Sequence, residues 1–135
     1  MEINKVNNLL ELFYNQYLTQ DKTSVFLQSL KEVVNKYSWE DVYSNIIKLS
    51  EEISKYIKKG DRCLLISENR PEWLISDLSI MLSGGITVPA YTTYTERDYE
   101  YIIDDCSPTV LIISDKTQYL NCLLYTSDAA DDLFR

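Results

Sequence analysis

The sequence predicts an α/β fold in which a partial parallel sheet carries helices on both faces. Short, nearly continuous apolar runs recur at residues 63–66, 86–88 and 109–113. Such runs are typical of strands that are buried on both faces. A segment with helical spacing of apolar residues precedes each run. Strands that alternate with helices are joined by crossovers, which we expect to be right-handed.

A helix and a β-hairpin are predicted before this alternating part. Apolar residues recur at helical spacing between Val6 and Leu18, which predicts the first helix. A turn-like break at Asp21-Lys-Thr follows. Residues 24–27 and 33–37 then have the composition of two short strands, and their proximity in the chain predicts a hairpin.

The second helix has clear start and stop signals. Ser38-Trp-Glu-Asp41 is a capping box, in which the hydroxyl and the carboxylate each accept a hydrogen bond from a free backbone N–H. Lys58 and Lys59 suit the negative end of a helix, and Gly60 can adopt the left-handed conformation after it. The predicted apolar face consists of Val42, Ile46, Leu49, Ile53 and Ile57.

The buried strand Cys63–Ile66 leads into a third helix, with Asn69 as the predicted cap and Pro71 in the first turn. Glu72 adds a negative charge at the positive end of this helix. Gly84-Gly85 ends it, and a strand over residues 86–88 follows, closed by Pro89. The predicted buried stripe consists of Trp73, Ile75, Leu78, Met81 and Leu82.

The last predicted unit is again a helix followed by a buried strand. Thr95-Glu-Arg-Asp98 is a second capping box, and Tyr99, Ile102 and Ile103 continue that helix. Thr109 to Ile113 is a third, mostly apolar strand.

Composition narrows the classes of function. The chain has 135 residues, the size of one domain, and its net charge of −8 argues against nucleic acid as a partner. It contains no histidine, which excludes Ser-His-Asp and Cys-His catalysis and His-ligated zinc within it. The chain has three cysteines, Cys63, Cys106 and Cys122, which lie far apart in the sequence. An odd number of separated cysteines fits a protein of a reducing compartment better than a disulfide framework. No signal peptide or membrane-length apolar run is visible, so we predict a cytoplasmic location.

The final residues, 122–135, differ in composition from the rest. Back-translation of Cys122–Asp131 gives ten codons, TGT CTC TTA TAC ACA TCT GAC GCT GCC GAC, in one frame. That DNA resembles the mosaic-end adapter of transposase-based sequencing libraries. We therefore predict that residues 122–135 are a translated adapter and that the native sequence stops near Asn121 because the read stopped. The alternative is a short acidic C-terminal helix.

Several segments of the chain resemble the N-terminal part of the adenylate-forming (AMP-binding) enzymes, both in their order and in their spacing. The resemblance covers Leu9 to Gln118 and is closest to the long-chain fatty acyl-CoA synthetase branch. Ser79, Ser83 and Gly85 stand where this family often has alanine. The segments are Lys59-Gly-Asp-Arg62, Ser67-Glu-Asn-Arg-Pro-Glu-Trp73, Asp77-Leu78 and Gly84-x-Ile-Thr-Val-Pro-Ala-Tyr91-x-Thr93.

The resemblance implies the incomplete N-terminal domain of an ATP-dependent ligase over residues 1–121. Its substrates would be a fatty acid, ATP and coenzyme A, with Mg²⁺ at the phosphates. The family's phosphate loop ending in Pro-Lys-Gly, its Tyr-Gly-x-Thr-Glu segment, and its Asp, Arg and C-terminal Lys find no match in residues 1–121. We therefore assign no catalytic, cofactor-binding or metal-binding residue, and we expect the chain alone to be inactive.

Two other functions stay open: another adenylate-forming ligase of the aryl or peptide-synthetase type, and a non-enzymatic small α/β binding domain. Some relatives work at the bilayer surface, which leaves a membrane surface open as a partner. The sequence does not fix the oligomeric state.

Three groups of polar residues are candidates for a site. Arg70 and Glu72 could clamp a substrate, but helix-start electrostatics explains them more simply. Residues 91–94, Tyr-Thr-Thr-Tyr, follow a predicted parallel strand at the end where α/β sheets bind ligands. They could line a pocket, although a structural loop is the simpler interpretation. Asp104-Asp105 could bind a metal, but with no third ligand in view we expect both to be solvated.

Overall fold

The computed structural model describes residues 6–30 and 34–115 and the backbone of residues 131–132. The other residues lie outside this description, including Val33 and most of the predicted adapter segment. The elements are α1 (Leu9–Thr19), β1 (Val25–Gln28), β2 (Lys36–Ser38), α2 (Trp39–Ser54), β3 (Arg62–Ile66), α3 (Pro71–Leu82), β4 (Ile86–Ala90), α4 (Glu96–Cys106), β5 (Val110–Ile113) and β6 (Asp131–Asp132).

The main sheet has the order β4-β3-β5-β6, and its strands pair in parallel. β3 lies between β4 and β5, so that Leu64 is paired with Val88 on one side and Leu111 on the other. The short β6 pairs with the start of β5 and falls within the predicted adapter segment. The predicted parallel α/β class is therefore confirmed. The right-handed crossovers stay a prediction.

Helices cover both faces of β3 because its side chains alternate between the two faces. Cys63 and Leu65 pack with Ile53 of α2 and Ile80 of α3. Leu64 and Ile66 pack on the opposite face with Tyr99 of α4. All four strand residues are buried, which explains why this strand is a continuous apolar run in the sequence.

The N-terminal elements pack against the outer side of α3. β1 and β2 form the predicted antiparallel hairpin, in which Val25 pairs with Ser38. Both strands begin later than predicted, at Val25 and at Lys36. α1 begins at Leu9 and not at Val6, since the side chain of Asn8 accepts a hydrogen bond from the N–H of Glu11 at 2.8 Å and caps the helix there. The core on this side contains Val42, Ile46, Ile75 and Leu78, with Leu10, Phe13, Phe26, Leu27 and Tyr37 against it.

Both predicted capping boxes are present. The hydroxyl of Ser38 accepts from the N–H of Asp41 at 3.0 Å, and the carboxylate of Asp41 accepts from the N–H of Ser38 at 2.9 Å. Thr95 and Asp98 exchange the same pair of bonds at the start of α4.

The prediction for the end of α2 was wrong. The helix ends at Ser54, and the N–H groups of Lys55 and Tyr56 bond to carbonyls three residues back, which tightens the last turn. Lys58 and Lys59 therefore lie in the following turn and not in the helix. Gly60 is left-handed as predicted, with φ of 88°, but it belongs to that turn, in which the N–H of Lys58 bonds to Asp61.

The predicted cap of α3 was also wrong. Arg70, not Asn69, occupies the cap position, and no side chain caps the helix. Pro71 is the first helical residue as predicted, and its missing N–H leaves one donor fewer to satisfy.

α3 is buried over more of its circumference than the predicted stripe. Ser76, Asp77, Ser79 and Ile80 are buried as well, whereas Leu82, predicted to be buried, is 45% exposed. The wide burial arises because α3 packs against the sheet on one side and against α2 on another. The hydroxyl of Ser79 donates to the carbonyl of Ile75 at 2.6 Å, which allows this polar side chain to be buried.

Candidate functional site

A cleft of about 650 Å³ opens at the carboxyl ends of β3 and β4, the edge where parallel sheets bind ligands. Its two walls are the loops that leave these strands. Because β3 and β4 are paired in parallel, residues 67–69 and residues 91–94 emerge side by side. The lining residues are Ser67, Glu68, Asn69, Trp73, Pro89, Ala90, Tyr91, Thr92, Thr93 and Tyr94.

A network of charged and polar groups fixes the first wall. The guanidinium of Arg70 lies 2.9 Å from one oxygen of Glu68 and 3.3 Å from Glu72. The other oxygen of Glu68 accepts from the hydroxyl of Ser114 at 2.7 Å, which ties this loop to the end of β5. The hydroxyl of Tyr37 donates to Glu72 at 3.1 Å and joins the hairpin to the same network.

The electrostatics of this network follow from its geometry. Partial burial acts to raise the pKa of Glu72. Hydrogen bonds to its carboxylate, from the backbone, Tyr37 and Arg70, outweigh that effect and leave the pKa below its usual value. Glu72 is therefore ionised at neutral pH and holds Arg70 in place.

A buried tyrosine fixes the second wall. The hydroxyl of Tyr99, on α4, donates to the backbone carbonyl of Tyr91 at 2.6 Å. The rings of Tyr91 and Tyr94 meet edge to face, with centroids 5.3 Å apart. The capping box at Thr95 starts α4 directly after this loop. Both walls are therefore held in position by neighbouring elements, as in a preformed site.

The three candidate groups that were chosen from the sequence lie in different places in the structure. All four residues of the Tyr91–Tyr94 loop line the cleft, although the sequence favoured a purely structural loop. Arg70 and Glu72 bind each other and line a smaller depression of about 300 Å³ near Ser114. Asp104 and Asp105 are exposed near the end of α4.

Trp73 and residues 67–69 are the part of the site that the sequence reasoning missed. For residues 67–69, the position directly after β3, at the same sheet edge as the Tyr91 loop, was the signal that could have found them.

The glycine pair does not form a phosphate site. Gly84 is left-handed, with φ of 85°, and ends α3 beside Lys59. A Cβ on Gly85 would lie 3.0 to 3.3 Å from the side chains of Ile57, Ile80 and Cys63, so this glycine faces the core. Residues that face the core cannot surround a phosphate. Gly84-Gly85 thus offers no cradle for a phosphate, and the described residues contain no group of three His, Cys, Asp or Glu residues that could hold a metal ion.

The two cysteines within the described residues are poor nucleophiles. Burial raises the pKa of the Cys63 thiol to about 11. Burial also raises the pKa of Cys106. Both thiols are protonated at neutral pH. Neither of these two thiols is therefore an activated nucleophile, and neither lines the cleft.

Known proteins resemble this chain in sequence and in fold. The sequence profile of the AMP-binding enzyme family matches residues 14–132. The long-chain-fatty-acid–CoA ligase of Bacillus subtilis (strain 168) is 29% identical over 96 residues, which are 70% of this chain and 16% of that protein. The long-chain-fatty-acid–CoA ligase FadD15 of Mycobacterium tuberculosis is 36% identical over 59 residues, which are 44% of this chain and 10% of that protein.

The solved structure of ATP-bound MatB from Rhodopseudomonas palustris superposes with a TM-score of 0.70 at 18% identity. The match covers 84% of this chain and 22% of that one. The profile match covers most of the chain and shows that the chain belongs to the AMP-binding enzyme family of adenylate-forming ligases. The structural match shows the same fold. The chain spans 16% and 10% of the lengths of the two curated relatives. No helix in the described ranges is long and apolar enough to cross a membrane.

Proposed function

We propose that residues 1–121 are the N-terminal part of an ATP-dependent long-chain fatty acid–CoA ligase. In the overall reaction a fatty carboxylate attacks the α-phosphate of ATP and releases pyrophosphate. The thiol of coenzyme A then attacks the acyl carbon of the acyl-adenylate, and AMP leaves. The same proposal places the longer protein in the cytoplasm, in line with its scattered cysteines.

The observation that carries this proposal is the family match over residues 14–132. The long-chain branch is supported by the two bacterial long-chain ligases, at 29% and 36% identity. It is also supported by Ser67–Trp73 and Gly84–Thr93, the segments that carried the resemblance. In the structure these segments form the start of α3, the strand β4 and both walls of the cleft.

In this proposal the described residues act as scaffold and do not perform the chemistry. Their polar groups cap helices, neutralise one another or fix loops, as Arg70 does between Glu68 and Glu72. The groups that bind ATP, Mg²⁺ and the adenylate would be supplied by chain that follows residue 121. We further propose that residues 122–135 are a translated adapter, so the protein itself would continue differently from that point.

Long-read sequencing across the locus, from before the Met1 codon to well past the Asn121 codon, tests the proposal first. We expect the reading frame to continue into a Thr/Ser/Gly-rich phosphate loop ending in Pro-Lys-Gly and later into Tyr-Gly-x-Thr-Glu. The family profile reaches residue 132, so the same read decides which of the last matched residues the locus encodes. A stop codon directly after Arg135 would contradict the proposal and favour a small binding domain.

The substrate class is tested on the protein that the longer frame encodes. Release of AMP from ATP is measured with coenzyme A and, in turn, palmitate, 4-hydroxybutyrate and benzoate. We expect palmitate to give the highest kcat/KM. A preference for benzoate would place the protein with the aryl ligases instead.

A further inference from the structure

The cleft at the ends of β3 and β4 has a chemistry that differs from that of fatty acids and ATP. Three of its lining side chains are aromatic: Trp73, Tyr91 and Tyr94. Tyr91 is 69% exposed, so a large aromatic side chain is held at the mouth of the cleft in contact with water. The hydrogen bond from Tyr99 to the Tyr91 carbonyl fixes the backbone there, so the loop is held in position before any ligand binds.

The charge of the lining is negative. Glu68 is the one formally charged side chain among the described residues that line the cleft, and no Lys or Arg lines it. Arg70 is shared between Glu68 and Glu72, so these three residues keep one net negative charge. The chain as a whole carries −8. A carboxylate or a phosphate in this cleft would meet no Lys or Arg side chain in the lining, and the nearby guanidinium of Arg70 is already shared between two carboxylates.

Aromatic rings beside a carboxylate are the usual environment for organic cations, because the ring faces and the carboxylate both attract positive charge. Ser67, Asn69 and Thr93 add polar atoms at the rim. We propose that this cleft is a binding site for an organic cation, an ammonium group with apolar substituents. The proposal concerns a ligand other than the fatty acid, ATP and coenzyme A of the proposed function, and it is tested by binding alone.

Two probes of nearly equal shape separate charge from hydrophobic contact. Choline carries a quaternary ammonium, and 3,3-dimethylbutan-1-ol replaces its nitrogen with carbon and has no charge. Binding of each to the full 135-residue chain is measured by isothermal titration calorimetry. We expect choline to bind about fivefold more tightly than the alcohol, the factor that a cation–π contact at a partly exposed site supplies. Equal affinities, or no binding of choline, would overturn the proposal.

Two exposed tyrosines provide a matched pair of variants. Tyr91→Ala removes a ring from the mouth of the cleft, and Tyr101→Ala removes a 70% exposed ring from α4 that does not line it. Neither change empties a buried position, so both variants should keep the far-UV circular dichroism spectrum of the parent. We expect Tyr91→Ala to lower choline affinity at least threefold and Tyr101→Ala to leave it unchanged. Equal effects of the two changes would place the choline elsewhere and overturn the proposal.

A charge placed at the rim gives a second, independent test. Thr93→Lys adds a cation to the exposed rim, and Thr93→Gln adds a neutral side chain of comparable length. We expect the lysine variant to lower choline affinity at least fivefold relative to the glutamine variant, and the difference should shrink at high ionic strength. Equal affinities of the two variants would contradict an electrostatic site.

Discussion

Gly85 lies at a point of the core where a side chain has little room. A Cβ at this position would lie 3.0 Å from Cδ1 of Ile57 and 3.1 Å from Cγ2 of Ile80. Ile80 and Cys63, two of its three neighbours, are fully buried and packed on the sheet, so they have limited freedom to move. An alanine here would require a different packing of these neighbours.

We therefore predict that Gly85→Ala destabilises the fold by about 1 kcal/mol. Overpacking costs roughly 1–3 kcal/mol, and the reduced freedom of the unfolded chain offsets part of that cost. Urea denaturation followed by circular dichroism measures the change. Ile57→Val removes the nearest atom, so the double variant should be more stable than the sum of the two single effects predicts. Additive effects would show that the close approach to Ile57 is not the cause.

At the scale of the elements, helix starts are specified locally. The capping box of α2 uses Ser38 and Asp41, three residues apart in the chain, and the box of α4 uses Thr95 and Asp98 in the same way. Each side chain satisfies a backbone N–H that the helix itself cannot satisfy. This local dependence explains why the sequence predicted both starts correctly.

We predict that Ser38→Ala lowers the free energy of unfolding by about 1 kcal/mol, the usual cost of losing a cap. Ser44→Ala is the matched control, since Ser44 lies within α2 and has no side-chain hydrogen bond within the described residues. The control removes no hydrogen bond and only exchanges serine for a residue of somewhat higher helix propensity. It should therefore change the free energy of unfolding by less than about 0.5 kcal/mol. Urea denaturation of both variants checks the prediction. Equal losses would mean that the hydroxyl of Ser38 does not stabilise the helix start.

Helix ends and buried faces were predicted less well, because they depend on contacts distant in the sequence. The sequence pattern extended α2 to Ile57, whereas the chain leaves the helix after Ser54 and makes a turn fixed by Asp61. Leu82 is apolar and was assigned to the core, yet it projects from the last turn of α3. Ser79 is polar and was not assigned to the core, yet it is fully buried and bonded to Ile75.

At the scale of the whole molecule, pairing of β3 with β4 creates the cleft. The two walls are more than twenty positions apart in the sequence, at Ser67 and Tyr91, and the parallel register brings them to one edge. The sequence predicted the strands and their class, and hence the position of the Tyr91 loop at this edge. It could not predict that Trp73 would complete the cleft, since that depends on how α3 lies against the sheet.

Among the described strands, β4 lies at one edge of the main sheet, and its outer side is protected against pairing with a further strand. The N–H of Ile86 points toward the β3 side, where it bonds to the carbonyl of Asp61. By alternation, the N–H groups of Thr87 and residue 89 face away from β3, and residue 89 is proline, which has no N–H. This outer edge therefore presents few donors to a further strand. On the opposite side of the sheet, β5 pairs with the short β6.

The last prediction concerns catalysis by the whole chain. Adenylation requires cations or backbone donors that neutralise the triphosphate, and activation of a carboxylate beside it. In the described residues Gly85 faces the core, Gly84 ends α3 as a left-handed residue, and the cleft is lined by a carboxylate and no cation. We therefore predict that the 135-residue chain shows no palmitate-dependent ATP–pyrophosphate exchange above the buffer blank. The protein encoded by the longer reading frame is the positive control. Leu64→Asp, which places a charge in the fully buried β3, separates true activity from a contaminant. Exchange that the chain shows and the Leu64→Asp variant loses would contradict the prediction and locate adenylating groups within these residues.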